Sequence, residues 1–202
     1  MTRVKICGIT NLDDALAAVD AGADALGFVF VASPRQIAPP AAAEIVAALP
    51  PLVTVVGVFT DADVEEVVSI AQHVQLDAVQ LHGQESPEYC RRLSGKVIKR
   101  FRVFDGDDAE SVAQRVAEYD VAAYLLDPGA GSGKTFDWRL ARGVSRRLIV
   151  SGGLTPQNVG GAIRVVRPFA VDVSSGVEIR PGRKDHAKLR EFVAAVRAAD
   201  AG

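Results

Sequence analysis

A chain of 202 residues with 23 basic and 25 acidic side chains and a formal net charge of −2 has the size of one domain and no electrostatic bias. Its charges are interspersed, with no basic block or basic–aromatic stripe, which excludes nucleic acid as the expected partner. Met1-Thr2-Arg3-Val4-Lys5-Ile6 leads into no signal-peptide core, the longest apolar stretch (about Pro51 to Phe59) is too short for a membrane, and Cys7 and Cys90 allow at most one bridge, so a reduced cytoplasmic setting is expected.

Apolar runs rich in Val, Ile and Phe recur about every 20–30 residues, each followed by a segment of helical spacing. Val4–Ile9 precedes a helix capped by Asn11, with Leu12, Leu16 and Val19 on one face and Gly22 at its exit. Ala25–Phe30 and Val53–Phe59 follow, and Asp61 then precedes the helical set Val64, Val67, Val68 and Ala71. After Ala78–Leu81, Ser86-Pro87 reads as a capping hydroxyl with proline at the first helical position. Val97–Val103 leads to a helix begun by Asp107 or Asp108, with Val112, Val116 and Tyr119 inward. Ala123–Leu126, Leu148–Val150 and Ala170–Val173 complete the strands, with Thr155-Pro156 as a second cap–proline pair. A last helix from about Asp185 buries Leu189, Phe192, Val193 and Val196. Continuous apolar runs suit parallel strands covered by helices. Eight near-equal strand–helix units predict an α/β fold, a single-domain parallel (β/α)8 TIM barrel over residues 1–202, ahead of an open doubly wound sheet.

In such a barrel the residues after each strand converge on one face. Leu126 ends in Asp127, and Pro128-Gly129-Ala130-Gly131-Ser132-Gly133-Lys134-Thr135 follows. The Gly-Lys-Thr ending suggests a nucleotide P-loop, but the required upstream glycine is Pro128, which has no N–H to offer a phosphate. The alternative is a strand-end acid followed by a lid across Gly129–Gly133. Asp127 reads as that acid, or as a turn former before proline. Cys7, followed by Gly8, reads as a base or nucleophile whose thiolate nearby Lys5 or the substrate's charge distribution would have to favour, or as a small buried hydrophobe. Arg35 suits a substrate carboxylate, or is a solvated loop charge. His82 serves in binding or in packing, while Cys90, His73 and His186 lie in helical segments and need no role. Ser151-Gly152-Gly153 and Ser174-Ser175-Gly176 follow the seventh and eighth strands, where these barrels commonly bind phosphate, although tight turns alone account for glycine there. No His/Cys/Asp set has metal-ligand spacing, so no metal is expected.

With these residues in place, the whole chain resembles the phosphoribosylanthranilate isomerase family of tryptophan biosynthesis. The resemblance rests on Val4-Lys5-Ile6-Cys7-Gly8-Ile9-Thr10, Gly27-Phe28-Val29-Phe30, Ser33-Pro34-Arg35, Gly57-Val58-Phe59 and Gln80-Leu81-His82-Gly83. It continues through Leu126-Asp127, Gly133-Lys134-Thr135-Phe136-Asp137-Trp138, Ser151-Gly152-Gly153-Leu154-Thr155-Pro156 and Val171-Asp172-Val173-Ser174-Ser175-Gly176-Val177-Glu178. It implies an aldose–ketose isomerase that carries out an Amadori rearrangement of N-(5-phosphoribosyl)anthranilate without a cofactor. By that resemblance Asp127 is the general acid that opens the furanose ring and Cys7 the general base at C2′. Arg35 holds the anthranilate carboxylate, His82 belongs to the binding site, and Gly152, Gly153, Ser174, Ser175 and Gly176 hold the phosphate. The segment Pro128–Ser132 departs from the Gly-Gly-Thr-Gly run expected of the family, and Ser151 stands where alanine is also common. The partner implied is a small phosphorylated substrate, with monomer and homodimer both open. Competing barrels fit less well: an epimerase wants strand-end metal histidines, an indole-glycerol-phosphate synthase a lysine–glutamate set, and a histidine-and-tryptophan isomerase paired aspartates. A phosphate-binding barrel without turnover stays open.

Overall fold

The computed structural model describes residues 1–129, 133–144 and 147–202. Eight parallel strands close into a barrel in chain order, with the first pairing the last. They are β1 (Arg3–Cys7), β2 (Ala25–Val29), β3 (Thr54–Phe59), β4 (Ala78–Leu81), β5 (Lys96–Arg102), β6 (Ala123–Asp127), β7 (Leu148–Val150) and β8 (Ala170–Val173). The expected strands are all present, with ends displaced by at most two residues. Seven α-helices pack outside among the described residues: α1 (Leu12–Asp20), α2 (Pro39–Ala47), α3 (Val64–Val74), α4 (Pro87–Arg92), α5 (Ala109–Ala117), α6 (Val159–Val166) and α7 (His186–Ala201).

Local chemistry explains most of the boundaries. Asn11 Oδ1 accepts from Asp14 N at 2.9 Å to start α1, and Ser86 Oγ accepts from Tyr89 N at 3.1 Å to start α4. Asp108 and Ser111 form a reciprocal capping box on α5, and Asp185 accepts from Ala187 N and Lys188 N on α7. Each cap stabilises its helix by about 1 kcal/mol. Leu189, Phe192, Val193 and Val196 are buried on α7 as the spacing predicts. Each fully buried side chain of that kind contributes about 1.5–3 kcal/mol.

Two expectations are corrected. Eight outer helices were expected, but β6 is followed among the described residues by a 3-10 turn, Trp138–Gly143, rather than an α-helix. Trp138 packs against Gly161 of α6 and anchors the turn. Nor does Thr155-Pro156 open α6, which starts at Val159. Asn158 Oδ1 accepts from Thr155 N at 2.8 Å, and its amide donates to Gly153 O at 2.9 Å, so residues 155–158 form a separate turn. The lid expected across Gly129–Gly133 includes Ala130, Gly131 and Ser132, which lie outside the described residues. An additional hairpin, β9 (Glu178–Arg180) with β10 (Arg183–Lys184), sits between β8 and α7.

The barrel interior changes character along its axis. Val56, Ala78, Ile98, Ala123, Leu125, Ile149 and Ala170 form an apolar plug toward the N-terminal ends of the strands. Lys5, Gln80, Asp127 and Asp172 are buried farther along. No helix among the described residues is long and apolar enough to cross a membrane.

Candidate active site

The C-terminal ends of the strands surround a cavity of about 480 Å³. All nine residues singled out from the sequence line it. Cys7, Arg35, His82 and Asp127 come from the ends of β1, β2, β4 and β6 or the loops after them, and Gly152, Gly153, Ser174, Ser175 and Gly176 from the turns after β7 and β8.

Register explains the setting of Cys7. Lys5 lies opposite Asp172 across the β1–β8 seam, and their ion pair measures 2.8 Å with both side chains buried. Cys7 is two residues beyond Lys5 on the same strand face and pairs with Gly27 of β2. A Cβ on Gly27 would stand 2.9 Å from Cys7 Sγ and 3.0 Å from Lys5 Nζ, so glycine supplies the room for thiol and ammonium together. Burial pushes the Cys7 thiol above its ordinary pKa. Lys5 and Lys184 pull it down and Asp172 adds to the rise, leaving the net shift upward. Lys5 thus favours the thiolate, as expected from the sequence. Burial outweighs it. Burial also disfavours the charged form of Lys5, yet Asp172 and Cys7 hold its pKa above the ordinary value.

Asp127 closes β6 on the opposite arc of the barrel. Its Oδ1 accepts from Arg100 Nη2 at 3.1 Å and from Gly129 N at 2.7 Å. Its Oδ2 makes no hydrogen bond among the described residues. Lys134-Thr135 opens no helix, so the P-loop alternative lacks the helix N-terminus that a phosphate would require.

Arg35 is held by a bidentate pair, Nε to Glu178 Oε1 at 2.9 Å and Nη2 to Glu178 Oε2 at 2.7 Å. His82 is half-buried beside Gln80 Nε2. Burial first, and then Lys5, Arg100 and Lys99, lower its pKa to about 3, so its ring is neutral.

The turns after β7 and β8 are glycine-rich because the second packs on the first, and the first on the segment after β6. A Cβ on Gly176 would meet Leu154 O at 1.8 Å, and one on Gly153 would meet Lys134 C at 2.6 Å. The packing requirement and an anion site coexist here. The N–H groups of Gly152 and Gly153 donate to no carbonyl or side chain among the described residues. Ser174 Oγ is buried without a hydrogen-bond partner there. No group of three or more His, Cys, Asp or Glu side chains among the described residues is placed to hold a metal.

Sequence reasoning assigned no role to Lys5 beyond its proximity to Cys7, and none to Asp172, Arg100, Glu178 or Lys184. A signal was available for the first two. A charged residue flanked by valines and isoleucines in a strand apolar on both faces, as in Val4-Lys5-Ile6 and Val171-Asp172-Val173, needs a buried partner of opposite sign. Glu178 and Lys184 carried no such signal, because strands of two and three residues have no periodicity to read.

Residues 4–195 match the family model described as N-(5'phosphoribosyl)anthranilate (PRA) isomerase. The N-(5'-phosphoribosyl)anthranilate isomerase of Geobacter sp. (strain M21) is 54% identical over 202 residues, covering 96% of this chain and 97% of that protein. A solved phosphoribosyl anthranilate isomerase in complex with reduced 1-(o-carboxyphenylamino)-1-deoxyribulose 5-phosphate superposes with a TM-score of 0.87 at 47% identity, over 98% of this chain and 100% of that one. The isomerase from Thermus thermophilus superposes with a TM-score of 0.90 at 42% identity, over 98% and 99% of the two chains.

Proposed function

The chain belongs to the N-(5'-phosphoribosyl)anthranilate isomerase family and performs its aldose–ketose isomerisation in tryptophan biosynthesis; we propose that Asp127 and Cys7 divide the proton transfers of that reaction. The observation that carries the proposal is the meeting of a thiol, a carboxylate, a guanidinium and two glycine turns around one cavity. Around the ring these follow in order: acid on β6, turns on β7 and β8, thiol on β1, guanidinium after β2.

The substrate, N-(5'-phosphoribosyl)anthranilate, has a group for each. Its phosphate goes to the free N–H groups of Gly152 and Gly153 and to the Ser174–Gly176 turn, where backbone donors and the Ser174 hydroxyl replace water. Its anthranilate carboxylate goes to Arg35. Neutral His82 lines the space between without adding charge. Asp127 donates its proton to the furanose ring oxygen as the C1′–O bond breaks, giving an open-chain Schiff base. Cys7, as thiolate, takes the C2′ proton, and the enolamine that results tautomerises to the 2′-ketone. C1′ is reduced and C2′ oxidised within one molecule, so the balance closes without an external oxidant or cofactor. A biosynthetic step on a charged phosphorylated intermediate is expected in the cytoplasm.

The test is a steady-state fluorescence assay of phosphoribosylanthranilate consumption by the purified protein, with Cys7→Ser beside it. The native protein turns over, and loss of the base lowers the rate by about 10²–10⁴-fold. A serine variant within a few-fold of native would move the base away from the first strand.

A further inference from the structure

Arg35 carries five N–H groups in a rigid fork, and the bidentate pair with Glu178 uses two of them, Nε–H and one on Nη2. The edge formed by Nη1 and the second Nη2 hydrogen remains available. Glu178 is itself fixed from behind. Lys184 Nζ donates to Glu178 Oε1 at 2.8 Å and to the backbone carbonyl of Cys7 at 2.6 Å. The side chain of Lys184 is wholly buried, and that of Glu178 nearly so. The two residues stand opposite each other in the β9–β10 register. Asp14 Oδ2 accepts from Lys184 N at 2.9 Å, and Thr10 Oγ1 donates to Gly182 O, so the hairpin is tied down at both its end and its turn.

We propose that Glu178, backed by Lys184, is a positioning residue for substrate recognition: it grips Arg35 by one edge and presents the opposite edge to the anthranilate carboxylate. The same Lys184 ammonium holds the carbonyl of Cys7, so clamp and base are referenced to one buried charge. Two buried ionic groups at one short hairpin carry a large desolvation cost, which packing alone does not require. A fixed guanidinium binds a carboxylate without first losing the rotamer freedom of a long side chain, and that advantage appears in KM. The inference rests on the reading of Arg35 as the carboxylate clamp.

A double-mutant cycle on KM decides it, using native protein, Glu178→Gln, Arg35→Ala and the double variant. Glutamine keeps the shape of glutamate but replaces one acceptor oxygen with a donor facing Arg35 or Lys184. Arg35→Ala is expected to raise KM by about 10–100-fold, the range of a lost charge-assisted hydrogen bond. Glu178→Gln is expected to raise KM by about 10-fold, with kcat within about twofold of native. In the Arg35→Ala background the same substitution should change KM by less than about twofold, because the group it positions is gone. The Ki of inorganic phosphate as a competitive inhibitor should stay unchanged throughout, since the turns after β7 and β8 are not touched. If Arg35→Ala leaves KM unchanged, the clamp reading fails and this inference with it. If Arg35→Ala raises KM and Glu178→Gln has its full effect in both backgrounds, the clamp stands and the positioning role is overturned. Should Glu178→Gln fail to fold, Glu178→Asp, which keeps the charge but shortens its reach, enters the same cycle with the same criterion.

Discussion

The two arcs of the barrel mouth hold their reactive groups differently. On the arc of β8, β1 and β2, the Cys7 side chain neighbours a buried Lys5–Asp172 pair, and its carbonyl is held by Lys184, which also binds Glu178. On the arc of β5 and β6, Asp127 has, among the described residues, a 3.1 Å bond to Arg100 and a bond to the N–H of Gly129 two residues on. The proposed base is fixed by contacts distant in sequence, the acid by its own turn and one neighbouring strand. The difference suits the chemistry. Abstraction of a carbon-bound proton demands close placement of the base, whereas the acid must release a proton and take one back.

The sharpest way to break this contrast is Asp127→Asn. Turnover should fall by about 10³-fold, as for loss of a general acid. Stability in urea should change by no more than about 1 kcal/mol, because few tertiary contacts are lost. A large loss of stability would mean that the acid arc is as tightly built as the base arc. The converse variant is Lys184→Met, which removes the ammonium from buried Glu178, leaving it Arg35 and the Gly182 N–H, and should cost about 3–5 kcal/mol in urea unfolding. A loss below about 1 kcal/mol would remove the argument that the base arc is over-determined.

A smaller, graded effect is expected from pH. The thiol of Cys7 is neutral when protonated, and burial raises its pKa, so the reactive thiolate is the minor form at neutral pH and grows as pH rises. On this account kcat/KM should climb about tenfold per pH unit from pH 7 toward the thiol pKa. A profile flat between about pH 7 and 9 would mean that the free-enzyme thiolate is not the species in demand.

Much of this was legible in the sequence, and the remainder was hidden for identifiable reasons. The barrel could be read because eight apolar runs recur at even spacing, and Cys7 and Asp127 stood out because each ends such a run. Asn11, Ser86 and Asp185 announced their helices through cap chemistry. Thr155-Pro156 misled because an Asx-type contact from Asn158 closes a turn there before the helix begins. The hairpin of β9 and β10 was invisible, since its strands are shorter than any period and its Lys184-Asp185 end merges with the start of α7. The direction of the Cys7 shift was also out of reach, because it depends on how fully the thiol is enclosed.

The seam where β8 closes on β1 has a consequence for how the molecule is made. The lysine that holds the carbonyl of Cys7 lies 177 positions later in the chain. At typical translation rates that interval is on the order of 10–40 s, throughout which the first strand has neither its β8 neighbour nor its Lys184 partner. A site whose parts are so far apart in sequence is completed only after the later part has been made. Folding intermediates should contain helices and inner strands before they contain a catalyst. Loss of the final hairpin and helix would leave most of the barrel sequence present but the thiol unheld.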